Sequence, residues 1–280
     1  MVIQPLDSGD NKVVRRVRHL NQSGEARKRS RETVVEGSRL VEEVLASGEK
    51  PRAVLYSPKW VEREDGRSLI IRLEALGVNL VYVSDRLMQE ISQIETPPGI
   101  LAVVPIPREW SLEQLLRRTA QPFVWPIALG IQDPGNLGTL MRAALAAGSP
   151  AIGIAKGTVE PFNPKCIRAA AGAAFRLPVV ALSDDWVGEL IASGVEVRAT
   201  AVDRGRPYFE LPWDCSVALV LGNEAHGLPD SMLLTGEVVT IPMSPVAESL
   251  NVAMAGAILL FHAAYQRRQA GLGFSPPAMV

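Results

Sequence analysis

Cysteine is nearly missing from this chain: Cys166 and Cys215 are the only two in 280 residues, with no CxxC and no histidine cluster beside either. That argues against a disulfide scaffold and against a zinc site built on such spacing. No run of about 18 apolar residues occurs, and the N-terminus carries no apolar leader core, so the sequence reads as cytoplasmic. A GxGxxG after the first strand of a domain, with an acid about 20 residues on, is also lacking, which argues against a dinucleotide-dependent oxidoreductase.

What is there begins with a globular balance, 47% apolar and 21% charged residues. The formal net charge of −1 would speak against a polyanion partner if it were evenly spread. It is not. Between Lys12 and Arg31 lie Lys12, Arg15, Arg16, Arg18, Arg27, Lys28, Arg29 and Arg31 against one acid, Glu25. Such an excess is either an electrostatic footprint for phosphates or a solvated, partly disordered arm.

Apolar runs alternate with helical patterns from end to end, which predicts an α/β protein. The first half reads as a basic helical arm over about Lys12–Ser30, then strand Thr33–Glu36, helix Ser38–Ala46, strand Ala53–Tyr56, helix Ser68–Leu76 and strand Asn79–Val83. Ser84 caps a short helix through Ile91, and strand Ile100–Val104 ends at Pro105-Ile-Pro107. The predicted boundaries are a domain over 1–107, a linker over 108–122, a second domain over 123–268 and a tail over 269–280. The second domain reads as strands Pro126–Ile131, Ala151–Ile154, Val179–Ala181, Glu196–Ala201, Ser216–Leu221 and Val238–Ile241. Helices fall at Gly135–Ala147, Pro164–Ala170, Asp184–Ser193 and Ser249–Gln266. Short, continuously apolar strands predict a parallel sheet covered on both faces, with ligands beyond the carboxyl ends of its strands.

Three segments carry chemistry. Gln132-Asp-Pro-Gly-Asn-Leu-Gly-Thr-Leu-Met-Arg142 follows a strand and opens a helix, whose N-terminus presents free N–H groups. Asn136 and Arg142 lie six residues apart, about 240° around a helix, so they converge only if Asn136 sits in the turn before it. The plain alternative is an ordinary βα turn with a capping Asn and a surface Arg. Leu219-Val-Leu-Gly-Asn-Glu-Ala-His-Gly-Leu228 runs a strand into a glycine-bounded loop, but Leu228-Pro229 stands where a P-loop needs Lys-Ser/Thr. Exposed amides there suit an adenosine-bearing ligand; Glu224 either faces a ribose or an arginine or is a solvated carboxylate. His226 is a candidate general base or an incidental turn residue. In Ile241-Pro-Met-Ser-Pro-Val-Ala-Glu-Ser-Leu-Asn251, Ser249 reads as N-cap of the last helix and Asn251 as part of its first turn. The helix is too apolar to face solvent around its whole girth: it reads as buried, with Ala253, Ala255, Gly256 and Ala257 permitting close helix–backbone or subunit approach.

Together these segments resemble the SpoU (TrmH) family of S-adenosylmethionine-dependent RNA ribose 2′-O-methyltransferases over roughly Ile127–Gln266. Pro164-Lys-Cys-Ile-Arg-Ala-Ala-Ala-Gly-Ala-Ala-Phe175 also fits that family. The strand–helix Val34-Val-Glu-Gly-Ser-Arg-Leu-Val in the first half resembles, more loosely, an L30e-like substrate-binding domain. The resemblance implies a SPOUT α/β trefoil knot with a mainly parallel sheet, a homodimer with the last helix in its interface, and no metal. It implies catalytic positions at Arg142, Asn136, Glu224, Ser249 and Asn251. It further implies a bent cofactor held near Thr200, Leu221, Gly222, Asn223, Gly227, Ile241, Met243 and Leu250, and RNA contacts from the arm and Arg168. Arg142 is expected to be essential, either activating the 2′-hydroxyl or only orienting it. The rival expectation is a non-catalytic RNA-binding protein that keeps the fold. The RNA itself, ribosomal or transfer, is not specified.

Overall fold

A computed structural model describes residues 4–119 and 122–273; the last seven residues of the expected tail lie outside the described ones. The chain divides into two compact units, Met1–Pro107 with Phe162–Arg168, and Arg108–Pro161 with Ala169–Val280.

The first unit opens with the basic arm, which folds as two helices, α1 (Lys12–Gln22) and α2 (Gly24–Ser30). The single helix expected there breaks at Ser23, whose extended backbone ends α1 while its side chain accepts from the Ala26 amide and starts α2. Val14, Val17, Leu20 and Ala26 are buried in one cluster with Leu55, Leu87 and Leu101. Apolar burial therefore orders the arm, and its cations, Arg27 excepted, sit on a folded surface. Strand β1 (Glu32–Glu36), α3 (Ser38–Ala46) and β2 (Ala53–Tyr56) follow. Then come α4 (Pro58–Val61), α5 (Glu64–Ala75), β3 (Asn79–Tyr82), α6 (Asp85–Ile91) and β4 (Ile100–Pro105). The sheet order is β1-β4-β2-β3, antiparallel except for β2 beside β3.

Helix α5 starts at Glu64, a turn before the expected Ser68. Gly66, a breaker by propensity, is needed inside it: a Cβ there would stand 2.3 Å from the Trp60 carbonyl oxygen. Glu64 and Asp65 suit the positive end of the helix.

The second unit contains α7 (Leu112–Arg118), β5 (Val124–Ala128), α8 (Pro134–Ala146), β6 (Ile152–Ile154) and β7 (Val179–Ala181), while α9 (Pro164–Ala170) belongs to the first unit as far as Arg168. It continues with α10 (Trp186–Ala192), β8 (Glu196–Thr200), β9 (Arg206–Pro207), β10 (Val217–Leu221), α11 (Asp230–Leu233), β11 (Glu237–Thr240) and α12 (Val252–Gln269). Its seven strands order as β7-β6-β5-β10-β8-β11-β9, every registered pair parallel. This is the α/β class expected, with a core of Trp125, Ile127, Val180, Ala199 and Val220 between sheet and helices. Helix α7, inside the stretch read as a linker, is fixed by a reciprocal cap between Ser111 and Gln114 and buries Leu112 and Leu115 in that core.

One expectation for the last helix is corrected. Its N-cap is Asn251, whose side chain accepts from the amides of Ala253 and Met254; Ser249 stays in the preceding loop. Within the described residues the helix is buried on one side. Ala253, Gly256, Leu259, Leu260 and Ala263 are buried, while Met254, Ile258, Phe261 and Tyr265 are 58%, 37%, 49% and 61% exposed. Small residues mark the inner face; a Cβ on Gly256 would stand 2.5 Å from Leu140 of α8. Among the described residues nothing covers the outer apolar stripe.

Candidate active site

Beyond the carboxyl end of β5 the chain turns into α8. Asp133 is the N-cap, its carboxylate accepting from the Asn136 amide at 3.0 Å, and Pro134 takes the first helical position, where no N–H is needed. Asn136 is therefore already helical. Its side chain sits between two distant loops. Its Nδ2 donates to Glu224 Oε1 at 3.0 Å, and its Oδ1 accepts from Asn251 Nδ2 at 2.8 Å. The amides of Gln132 and Asp133 also donate to the Glu224 carboxylate, each at 3.2 Å. One carboxylate thus organises the turn that starts α8.

Burial alone would raise the Glu224 pKa. The donors, first the Asn136 side chain and then the backbone amides, outweigh it and hold the carboxyl below its ordinary 4.5.

The loop after β10 is equally constrained. Asn223 and Gly227 exchange backbone hydrogen bonds at 3.0 and 2.9 Å, with Gly227 at φ +65°. Asn223 Oδ1 accepts from the Ala225 and His226 amides, and its Nδ2 reaches the Gly130 carbonyl at 2.8 Å. Gly222 packs so closely that a Cβ would meet the Gly227 carbonyl carbon at 2.5 Å. Thr158, which no spacing in the sequence singled out, completes the brace: it donates to the Ala128 carbonyl and accepts from the Gly130 amide.

These loops enclose a cavity of about 580 Å³. All eight residues expected to hold a cofactor line it: Thr200, Leu221, Gly222, Asn223, Gly227, Ile241, Met243 and Leu250. Asn136, Glu224, Ser249 and Asn251 line it as well. Thr200 Oγ1 is committed to the Val220 carbonyl at 3.0 Å, so it fixes the wall between β8 and β10. His226, the candidate general base, lines it too, as do Asp203, Arg204 and Glu248, which were unforeseen because loop side chains follow no periodicity.

Arg142 is set apart. It is exposed on the third turn of α8 and does not line the cavity. With Asn136 inside the helix, the two side chains point about 120° apart.

The basic residues of the first unit separate in kind. Arg15, Lys28, Arg29 and Arg31 are exposed. Arg27 is 4% exposed and donates to the Leu20 carbonyl, so burial removes it from the surface set. Arg16 pairs with Glu32, and Arg18 with Glu90 at 3.2 Å. Arg168 lies 4.0 Å from Glu36, whose carboxylate is 1% exposed. Among the described residues, no group of three or more His, Cys, Asp or Glu is placed to hold a metal, and no helix is long and apolar enough to cross a membrane.

Comparison with known proteins agrees with this geometry. Residues 127–261 match the model of the SpoU rRNA Methylase family, and residues 11–102 match the MRM3-like substrate binding domain. The chain is 35% identical over 262 residues to the 23S rRNA (guanosine(2553)-2′-O)-methyltransferase RlmP of Bacillus subtilis (strain 168), covering 93% of this chain and 99% of that one. It is 29% identical to the 23S rRNA (uridine(2479)-2′-O)-methyltransferase of Streptomyces viridochromogenes, over 86% of this chain and 85% of the relative. The crystal structure of the SpoU methyltransferase AviRb from Streptomyces viridochromogenes, in complex with the cofactor AdoMet, matches with a TM-score of 0.80 at 25% identity, covering 92% of this chain and 100% of that one. The AdoMet-bound rRNA methyltransferase from Sinorhizobium meliloti matches with a TM-score of 0.80 at 28% identity, covering 95% and 98%. Two ordered motifs after β5 and β10, a third before α12 and a shared cavity thus coincide with the matched region, and the chain belongs to the SpoU rRNA methylase family.

Proposed function

We propose that this chain transfers a methyl group from S-adenosylmethionine to a ribose 2′-hydroxyl of ribosomal RNA. The observation that carries the reading is the convergence, on one cavity, of Asn136, Glu224 and Asn251 from three segments far apart in sequence.

The cavity fits the cofactor. Its volume of about 580 Å³ falls in the range of roughly 300–1,000 Å³ typical of small-molecule sites. Leu221, Ile241, Met243 and Leu250 give it apolar walls suited to an adenine ring, and the tightly packed Gly222 keeps a side chain out of the wall. When bound, S-adenosylmethionine supplies an electrophilic methyl group on a sulfonium.

The chain's own residues do the rest. Glu224 holds Asn136 and the α8 turn in one geometry, and Asn251 locks the Asn136 amide the same way round. Ser249 and Asn251 hold the nucleotide at the mouth. Positioning of this kind converts a bimolecular methyl transfer into a near-unimolecular one.

The reading also needs a cation at the 2′-hydroxyl, and Arg142 is the candidate. It faces away from the cavity of its own chain, so we assign it to the cavity of a second copy. The stripe of Met254, Ile258, Phe261 and Tyr265 is the docking face for that copy, because α12 packs on α8, which carries Arg142. Arg142 orients the hydroxyl and its neighbouring phosphate and lowers the cost of losing the proton. The exposed arginines and lysine of the arm add sequence-independent affinity for the phosphate backbone. The same reading puts the protein in the cytoplasm, with its RNA.

The test is a map of 2′-O-methyl sites in rRNA from cells with and without the gene, followed by methyl transfer to the unmodified rRNA in vitro. One site lost in the deletion and restored by purified protein plus S-adenosylmethionine supports the reading. An unchanged map, together with no transfer in vitro, leaves the non-catalytic alternative.

A further inference from the structure

Among the described residues lining the cavity, His226 carries the only ring. Its backbone is held: its amide donates to Asn223 Oδ1 at 3.1 Å, and the next residue, Gly227, closes the loop back onto Asn223. It stands two positions from Glu224, which grips Asn136. The residue is exposed and belongs to a loop braced against Gly130, so a ring presented there costs little conformational entropy to hold.

A nucleotide in a single-stranded loop brings its ribose 2′-hydroxyl to this cavity with its base unstacked. Its base then needs a surface beside the loop that positions the ribose. Every base has a π-face, and imidazole is one of the side-chain rings on which unstacked RNA bases lie.

We propose that His226 contacts the base of the target nucleotide by stacking, as a substrate-positioning residue rather than the base that removes the proton. The proposal rests on the methyltransferase reading above and names the part of the RNA that this loop meets. The ring, not a titrating nitrogen, is the working feature.

The experiment compares wild type with His226→Ala, His226→Phe and His226→Trp. The substrate is rRNA extracted from cells lacking the gene, with RNA affinity, single-turnover rate and S-adenosylmethionine affinity measured separately. For His226→Ala, the RNA dependence weakens about ten-fold, the size expected from losing one stacked base, while S-adenosylmethionine affinity stays at the wild-type value. His226→Phe and His226→Trp recover most of the loss, and the pH–rate profile keeps its shape in both. An equal loss in the Ala and Phe variants overturns the proposal in favour of a proton-transfer role. A matching loss of cofactor affinity in His226→Ala overturns it in favour of a loop-shaping role, and an unaffected Ala variant removes any role. Failure of the wild type to bind S-adenosylmethionine or to methylate this RNA would instead sink the underlying reading, so the two failures are distinguishable.

Discussion

Asn251 donates its side-chain amide to the side chain of Asn136 across 115 positions of sequence, at 2.8 Å, while Asn136 donates to Glu224 at 3.0 Å. The two bonds use opposite ends of one amide group. Asn136 can satisfy both only in a single orientation, and so the pair acts as a gauge of whether the three loops are in register.

That arrangement predicts a sharp result for Asn136→Asp. The replacement is isosteric, but it sets a carboxylate against Glu224. Methyl transfer should fall at least about 100-fold, as expected when a reacting geometry is misplaced by about 1 Å, with circular dichroism unaltered. A variant that kept wild-type activity would show that the amide has no positioning role.

The depressed pKa of Glu224 fixes a pH signature. The folded carboxyl titrates below 4.5, the ordinary value taken for the unfolded chain, because its hydrogen-bond donors outweigh burial. Its contribution to stability is therefore fully present above 4.5 and is lost as the pH falls through the lower folded value. The Tm gap between wild type and Glu224→Gln should be constant from neutral pH down to about that value and close below it. A gap that widened on acidification would reverse the sign.

Arg142 should act between subunits. Neither Arg142→Ala nor Asn136→Ala should be active alone. Mixed dimers of the two should regain activity, because one of their two sites combines an intact Asn136 with the other copy's intact Arg142. Mixed dimers that stay inactive, at a confirmed dimer stoichiometry, would place Arg142 in the cavity of its own chain. The proposed dimer makes a second test: Phe261→Glu on the exposed α12 stripe should elute as a monomer where the wild type elutes as a dimer by size-exclusion chromatography, and should lose activity with it.

The arm separates into surface and core arginines. Neutralising Arg15, Lys28 and Arg29 should lower the slope of log affinity against log salt by about 2–3, at roughly 0.7–0.9 per lost phosphate contact, with Tm unaltered. Arg27→Ala should lower Tm instead, since the buried Leu20 carbonyl loses its donor. An unchanged salt slope in the first variant would make the arm a structural element only.

Much of this was legible beforehand, and the reason differs by element. Ser38–Ala46, Ala53–Tyr56 and Val179–Ala181 fall where periodicity and turn residues put them, because local preference and burial agree there. Helix α5 was clipped because Gly66 reads as a breaker until the Trp60 carbonyl beside it is known. The cap of α12 was misread since Ser249 and Asn251 are equally good capping residues, and only the backbone decides between them. Which residues form the exposed stripe on α12 was not legible, because an apolar helix facing a second chain and one buried in its own chain have the same composition; only the family resemblance pointed to an interface there. The motif residues were readable from their order, whereas the bond from Asn251 to Asn136 and the Thr158 brace belong to tertiary structure alone. The expectation of a knotted threading rested on the family resemblance alone and on no local pattern.

The strand order has a further consequence for synthesis. β10 lies between β5 and β8, yet it leaves the ribosome after both. Until residue 221 emerges, the nascent chain holds β5 and β8, strands of largely buried residues, each with an edge waiting for the same absent neighbour. Unpaired edges of that kind invite pairing with other chains, and central closure over long sequence separations is slow. A protein of this design should depend on chaperones during its own synthesis more than its finished stability suggests, and truncation just before β10 should yield aggregates rather than a smaller folded domain.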